Sequence, residues 1–344
     1  MRADGGQLER ITRLIEGGTI RPVVDRSFPF EHLNDAFAYI DTGRAKGKVV
    51  VTRSTAEGSP TMSNDIHRAD WETAPTRHLE AAGTRFAYRR LGPEAGVPVV
   101  LLNHWGANLD NFDPPIVEGL AADRPVYALD YRGIGTSGGT APLSVAEMAN
   151  DTIATIRALG LKLVDLIGFS LGGFVAQQIL LDAPDLVRRT ILAGTGPAGG
   201  TGIERVGAVS WPLIVESLIT FRDPKFYLFF TSSAAGKRAA SEFLARLKER
   251  TTDRDRAVSL KAFLRQLKAI KAWGRQGPQT LDTIRNPVLV ANGDHDIMVP
   301  SENSVDLARR IPGAELVLYP DAGHGGIFQY HVAFLTKAKA FLGA

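Results

Sequence analysis

The sequence contains no cysteine among its 344 residues. Disulfide bonds, thiolate nucleophiles and cysteine metal ligands are therefore excluded from its chemistry. The lack of disulfides agrees with a reducing compartment. The first residues, Met-Arg-Ala-Asp-Gly-Gly, are not followed by the apolar core of a secretory signal. These features together favour a cytoplasmic location.

Long apolar runs and an excess of charge of one sign are also missing. No stretch approaches the roughly 20 apolar residues that a membrane span needs. The formal net charge is only +3, and no run of lysine and arginine concentrates it. This argues against nucleic-acid and membrane partners. Hydrophobic residues make up 44% of the chain, which is enough for a sizeable buried core.

The chain divides into three stretches by pattern. Residues 1–53 contain two amphipathic helix patterns and two short strand patterns, at 20–24 and 48–51. Residues 54–76 are polar and rich in turn-forming residues, which predicts a linker. Residues 77–344 alternate between strands and helices, which predicts a mostly parallel sheet covered on both faces.

Seven strands are predicted in the third stretch, at 85–90, 97–102, 125–129, 163–167, 189–193, 287–291 and 315–319. The alternation stops between about 197 and 285, where the chain is rich in helix patterns and aromatic residues. This segment lies after one predicted strand and before the next. It is therefore interpreted as a helical cap inserted into the sheet.

Residues 168–173 read Gly-Phe-Ser-Leu-Gly-Gly, after an apolar strand and at the start of a helix pattern. This is the context that a G-x-S-x-G nucleophile turn requires. The serine must occupy a tight, strained turn, and neighbouring backbone leaves no room for side chains two residues before and after it. The alternative is a Gly/Ser turn without function. The partner residues below favour Ser170 as a catalytic nucleophile.

A serine hydroxyl needs an imidazole to take its proton and a carboxylate to orient that imidazole. In sites of this type the chain order is serine, acid, histidine. His324 follows the last predicted strand, in the segment Ala-Gly-His-Gly-Gly. The loop after the preceding strand, residues 293–300, reads Gly-Asp-His-Asp-Ile-Met-Val-Pro and offers two acids, Asp294 and Asp296.

These motifs resemble the serine-nucleophile branch of the α/β-hydrolase family over residues 77–344. The acid loop of that family often reads Gly-x-x-Asp-x-x-Val-Pro, which implies Asp296 as the acid and leaves Asp294 to cap the turn. The family places its catalytic histidine where His324 lies. The resemblance implies a doubly wound, mostly parallel α/β sheet with a helical cap inserted after the sixth core strand.

The resemblance also implies an oxyanion hole. One donor is the backbone N–H of the residue after the nucleophile, Leu171. The other comes from the loop after an early strand, which usually begins His-Gly in the family. Here Asn103 stands for that histidine and His104 for that glycine, so the second donor is the N–H of Trp105. His104 itself is grouped with the surface or structural histidines.

Two further glycine-rich motifs are interpreted as architecture. Residues 130–137 read Asp-Tyr-Arg-Gly-Ile-Gly-Thr-Ser and resemble a turn of the same family, with Asp130 and Arg132 available to fix the loop. Residues 194–199 fit G-x-G-x-x-G, but neither a helix nor a second strand with an acidic residue follows, as a dinucleotide site would need. This motif is interpreted as the hinge leading into the cap.

Residues 1–53 resemble a different family, the C-terminal part of medium-chain dehydrogenases of the quinone-reductase and zinc-alcohol-dehydrogenase type. The resemblance rests on residues 14–24, 28–37 and 43–51. The cofactor-binding and substrate domains of such enzymes are absent, so no dehydrogenase function is transferred. Met62 lies in the predicted linker, and residues 1–61 are either functional or the product of a gene fusion or a mis-set start.

The resemblance to α/β-hydrolases implies a serine hydrolase that cleaves a small or medium, largely apolar carboxylic ester or lactone through an acyl-enzyme. No cofactor and no metal are expected. The same triad also serves carbon–carbon bond hydrolases and cofactor-free perhydrolases. A non-catalytic ligand-binding protein on this fold is an alternative of another class, and an oxidoreductase would rest on the N-terminal fragment. The oligomeric state is not predicted.

Overall fold

A computed structural model describes residues 24–29, 39, 48–52 and 70–343 of the chain. The chain forms two compact units, Met1–Ile66 and His67–Ala344. The described part of the first unit contains two parallel strands, β1 (Val24–Pro29) and β2 (Lys48–Thr52).

The strand β2 lies where the sequence predicts it, whereas β1 begins only at the last residue of the predicted strand 20–24. Most of the two helices predicted within residues 1–53 lies outside the described residues, as does the linker up to residue 69.

The second unit contains one eight-stranded sheet. In chain order its strands are β3 (Arg77–Ala81), β4 (Thr84–Leu91), β5 (Val99–Leu102), β6 (Val126–Leu129), β7 (Val164–Phe169), β8 (Val187–Ala193), β9 (Val288–Gly293) and β10 (Glu315–Tyr319). Their spatial order is β10-β9-β8-β7-β5-β6-β4-β3. All pairs from β10 to β6 are parallel, and β4 pairs antiparallel with both β6 and β3. The predicted doubly wound, mostly parallel fold is confirmed.

One strand of this sheet, β3, was not predicted from the sequence. It forms a hairpin with β4 through Ala82 and Gly83, both with positive φ. Its residues, Arg-His-Leu-Glu-Ala, are mostly exposed or half-buried, so they lack the strong apolar pattern of a buried strand. With β3 counted, the cap follows the sixth strand of the sheet, β8, as expected.

Helices cover the sheet and form the cap. Outside the cap they are α1 (Pro114–Ala121), α2 (Val145–Ala158) and α3 (Leu171–Asp182) before it. The cap contains α4 (Val206–Ile219), α5 (Lys225–Leu228), α6 (Ala234–Arg246) and α7 (Leu260–Arg275). After it come α8 (Glu302–Arg310), α9 (Gly326–Gln329) and α10 (His331–Leu342). No helix in the described ranges is long and apolar enough to cross a membrane.

The central strands form the core of the second unit. Every residue of β5, β7 and β9 is buried, whereas most of the edge strand β10 is exposed or half-buried. Strands buried on both faces carry continuous apolar runs, which is why the sequence pattern identified them. Because β5 has β7 on one side and β6 on the other, the strand order reverses at β5. The carboxyl ends of the strands near such a point form a natural binding crevice.

Residues 70–76, the described end of the predicted linker, pack into the second unit. The side chain of Trp71 is 2% exposed and that of Ala74 is equally buried. The buried guanidinium of Arg250 donates hydrogen bonds to the backbone carbonyls of Trp71, Glu72 and Ala74, at 2.8 to 2.9 Å. This segment therefore belongs structurally to the sheet-containing unit, with the cap holding it in place.

Candidate active site

Ser170 lies at the carboxyl end of β7, immediately before α3, with φ 56° and ψ −117°. Few non-glycine residues adopt a positive φ, and such strain is concentrated at functional sites. The two flanking glycines are required by close packing. A Cβ on Gly168 would lie 2.3 Å from the carbonyl oxygen of Gly172, and one on Gly172 would lie 2.1 Å from that of Leu102. Residues 168–172 thus form the sharp turn that the motif predicts.

His324 and Asp296 form a buried hydrogen-bonded pair. Nδ1 of His324 lies 2.7 Å from Oδ2 of Asp296, and neither side chain is exposed to solvent. The other carboxylate oxygen, Oδ1, accepts the backbone N–H groups of Met298 and Val299 at 2.8 and 3.0 Å. The turn after β9 therefore fixes the Asp296 carboxylate and leaves one oxygen directed at the imidazole.

Asp294, the competing acid, lies outside this pair. Its Oδ1 is 2.5 Å from Nδ1 of the exposed His295 and 3.3 Å from the backbone nitrogen of Ala322, which donates to it. Asp294 therefore links the loop after β9 to the loop after β10. The order of residues along the chain allowed either acid to pair with His324. In the structure Asp296 makes that contact, and Asp294 does not.

Ser170 and His324 line one cavity of about 340 Å³. Nε2 of His324 is buried and has no hydrogen-bond partner among the described residues, Ser170 included. The acid–imidazole contact is therefore made, whereas the hydroxyl–imidazole contact is not. Such contacts are often long in the absence of substrate and shorten in the reacting complex.

The loop after β5 is fixed by its own asparagines. The amide of Asn103 donates to the carbonyl of Asn108 at 2.7 Å, and its Oδ1 accepts the N–H of His104 at 2.9 Å. The backbone N–H groups of Trp105 and Leu171 have no acceptor within the described part of the chain.

His104 lines the same cavity, which its sequence context did not indicate. Its Nδ1 lies 2.9 Å from the carbonyl oxygen of Trp105, and its ring packs edge-on against Phe169 and Phe229. Burial, together with the charge of Lys225, lowers the pKa of His104 to about 3. One feature of the sequence could have indicated this location. His104 stands where the family motif has a glycine, so its side chain occupies space that is empty in the family.

The cap supplies most of the remaining cavity wall. These residues are mainly apolar or aromatic and come from α4, α5, α7 and the segments beside them: Trp211, Ile214, Pro224, Leu228, Phe229, Leu260 and Phe263. Asp223 and Lys225 also line the cavity, and their charged groups pair at 3.1 to 3.2 Å.

The turn at residues 130–137 lies apart from this cavity lining. Arg132 forms an ion pair with Asp151. Asp130 is buried, and neither of its carboxyl oxygens accepts a hydrogen bond from the described residues. A Cβ on Gly135 would lie 2.2 Å from Oδ2 of Asp130 and 2.0 Å from Oδ2 of Asp255, so these carboxyl groups face each other there. Burial, and then Asp255, raise the pKa of Asp130 well above its usual range.

The second glycine motif, residues 194–199, leads from β8 towards the cap. Gly194 and Gly199 have φ values of 53° and 71°. The chain continues as turns and a short 3₁₀ segment before α4 begins at Val206. This agrees with a hinge, since a dinucleotide motif opens directly into a helix.

Two family models match different parts of the chain. Residues 97–329 match the family described as alpha/beta hydrolase fold, and residues 1–51 match one described as zinc-binding dehydrogenase. A putative carbamate hydrolase, RutD, from Agrobacterium fabrum is 28% identical over 257 residues, which span 72% of this chain and 94% of that protein.

Two solved structures extend the comparison. An alpha/beta hydrolase fold protein from Chitinophaga pinensis has 38% sequence identity and a TM-score of 0.76, over 80% of this chain and 99% of that one. Est816, described as an N-acyl homoserine lactone degrading enzyme, has 26% identity and a TM-score of 0.61, over 77% of this chain and all of that one. Because the family match spans more than half of the sequence and these structures share its fold, the chain belongs to the α/β-hydrolase family.

Proposed function

We propose that this hydrolase cleaves a small or medium, largely apolar carboxylic ester or lactone through an acyl-enzyme. The observation that carries the proposal is the strained backbone of Ser170, which places it in one cavity with His324 while His324 is hydrogen-bonded to Asp296. A serine, an imidazole and a carboxylate in this order form the usual unit of nucleophilic acyl transfer.

In the proposed first step, Oγ of Ser170 attacks the carbonyl carbon of the substrate, and its proton passes to Nε2 of His324. The carboxylate of Asp296 stabilises the imidazolium through Nδ1. The negative charge on the carbonyl oxygen is held by the N–H groups of Trp105 and Leu171. Collapse of the intermediate breaks the ester bond, and the leaving alcohol takes the proton from Nε2.

In the second step a water molecule gives a proton to Nε2 of His324 and attacks the acyl group on Ser170. The intermediate collapses to the free acid, and Oγ regains its proton. For a lactone the leaving alcohol remains part of the same molecule.

The cavity supports the substrate class. About 340 Å³ suits a small or medium molecule, and the wall is mainly aromatic and aliphatic. The two charged groups that line it, Asp223 and Lys225, pair with each other. Est816 is described as an N-acyl homoserine lactone degrading enzyme, and a lactone is one of the two substrate classes proposed here.

We also propose that the first unit contributes no residue to this reaction. All five residues assigned to the chemistry lie between 105 and 324, within the second unit. Residues 1–53 are then a dehydrogenase-like fragment, outside the hydrolase domain.

A panel of p-nitrophenyl esters, from acetate to laurate, with lactones measured by pH-stat, tests the substrate class. We expect the rate to peak at short or medium acyl chains. A fluorophosphonate reagent should modify Ser170 and stop turnover, with the site located by peptide mass spectrometry. Labelling at another residue, or turnover that survives full labelling, would contradict the mechanism.

A further inference from the structure

The side chain of His104 is a buried polar group in the catalytic cavity that the proposed reaction does not use. It is 4% exposed and lines the cavity together with Ser170 and His324. The proposed chemistry requires only the backbone of this loop, through the N–H of Trp105.

The hydrogen bond at Nδ1 determines the tautomer of His104. A carbonyl oxygen accepts but does not donate, so the contact with the carbonyl of Trp105 at 2.9 Å requires the hydrogen on Nδ1. Burial, aided by the charge of Lys225, lowers the pKa of His104 to about 3, so the ring is neutral near pH 7. Nε2 of a neutral ring with its hydrogen on Nδ1 is an acceptor.

This acceptor has no partner among the described residues. The rings that pack against His104 belong to Phe169 and Phe229, which carry no donor. The ammonium of Lys225 is already bound by Asp223. A buried acceptor without a partner costs free energy. A ligand that donates a hydrogen bond to Nε2 of His104 would remove this cost, and its binding would be favoured.

Resting on the proposed function, we propose that His104 is a specificity-determining residue whose Nε2 accepts a hydrogen bond from a hydroxyl group of the substrate close to the scissile carbonyl. The substrate class is accordingly a hydroxy ester or hydroxy lactone rather than a plain alkyl ester. The hydroxyl lies on either the acyl or the alcohol side, since both flank the carbonyl.

Matched substrate pairs distinguish the two sides. The acyl pair is p-nitrophenyl β-hydroxybutyrate with p-nitrophenyl butyrate, and the alcohol pair is hydroxyethyl butyrate with propyl butyrate. In at least one pair the hydroxylated member should have a kcat/KM about 10- to 100-fold higher, the range expected when a buried acceptor is satisfied or left empty. In His104→Phe, which keeps the ring but removes the acceptor, the ratio should fall to about one.

Two variants separate recognition from packing. His104→Gln retains an acceptor and should keep part of the preference. Met298→Leu changes another cavity-lining residue without changing its polarity, and should alter both rates of a pair by a similar factor. Equal rates for both members of both pairs in the wild type, or a preference that persists in His104→Phe, would overturn the inference.

The role of His104 can also be tested without measuring ester hydrolysis. In the ¹⁵N spectrum of the imidazoles, Nε2 of His104 should have the shift of an unprotonated nitrogen. That shift should move when a hydroxylated member of the pairs, or β-hydroxybutyrate, binds to Ser170→Ala, and not with the matched compound lacking the hydroxyl. A protonated Nε2, or equal responses, would disprove the role of His104. Hydrolysis of esters without any preference would disprove it while leaving the proposed function intact.

Discussion

The indole N–H of Trp105 donates a hydrogen bond to the backbone carbonyl of Phe263 at 2.8 Å, and the two rings stack with centroids 4.2 Å apart. Trp105 lies in the loop after β5, whereas Phe263 lies in the cap helix α7. The next residue of the loop, Gly106, donates its N–H to Oε1 of Gln266 in the same helix at 2.9 Å. The cap therefore fixes the backbone that presents the proposed oxyanion donor.

Gln266→Leu should slow turnover although this side chain does not line the cavity. The substitution removes the acceptor of the Gly106 N–H, so the adjacent backbone N–H of Trp105 is held less firmly in position. We therefore expect kcat to fall about 10-fold or more. Steady-state kinetics on a p-nitrophenyl ester measures the effect. Lys268→Leu, on the exposed side of α7, is the matched control and should leave kcat unchanged. Equal effects of the two changes would argue against coupling between cap and loop.

Ser170→Ala should abolish ester hydrolysis without unfolding the protein. Loss of the nucleophile from a triad lowers kcat on the order of 10⁴ to 10⁶. Alanine removes only the hydroxyl, so the circular dichroism spectrum should match that of the wild type. A variant that keeps most of its activity with a normal spectrum would refute the nucleophile assignment.

Asp296→Asn should reduce kcat on the order of 10³ to 10⁴, because a neutral amide cannot stabilise the imidazolium of His324 and favours the wrong tautomer. Asp294→Asn is the matched control, since Asp294 contacts His295 and Ala322 instead. Its effect should stay below about 10-fold. The reverse ranking in steady-state kinetics would move the acid to Asp294.

Asp130→Asn should stabilise the protein at neutral pH. The folded state raises the pKa of Asp130 above the unfolded value of about 3.9. The ionised carboxylate is therefore disfavoured in the folded state, and the wild type loses stability as pH rises above about 4. Asparagine does not ionise, so the variant should not lose stability in this way. The difference in the free energy of unfolding between variant and wild type should grow with pH, by up to about 1.4 kcal/mol per pH unit.

Urea unfolding of Asp130→Asn at about pH 4.5 and about pH 7 measures this difference, with the linear extrapolation used to obtain free energies. Asp151→Asn is the control of opposite sign, because it removes the carboxylate that pairs with Arg132 and should destabilise at neutral pH. An Asp130→Asn variant less stable than the wild type at both pH values would contradict the prediction.

A chain that begins at Met62 should be folded and as active as the full protein, whereas one that begins at Arg77 should be unstable. The second deletion removes the buried Trp71 and leaves the guanidinium of Arg250 without three carbonyl acceptors. Thermal unfolding and ester hydrolysis of both shortened chains measure the difference. An inactive chain from Met62 would place residues 1–61 within the functional enzyme.

The sequence predicted the central parallel strands β5, β7 and β9 because each is an apolar run buried on both faces, a property that residues carry locally. It predicted the turn at Ser170 because steric crowding permits only glycine at 168 and 172. It missed β3, whose polar residues gain their strand conformation by pairing with β4. It also assigned residues 70–76 to a linker, since nothing local shows that Arg250 binds their carbonyls.

The sequence by itself determined the family and the order of the candidate residues, with Ser170 first, Asp294 or Asp296 next and His324 last, because the motifs that carry them follow the strands in a fixed order along the chain. Tertiary structure decided which acid meets the imidazole, that His104 lies in the cavity, and that α7 holds the loop of Trp105. These contacts join residues distant in sequence. Their geometry depends on how the strands and the cap pack together, which no local pattern specifies.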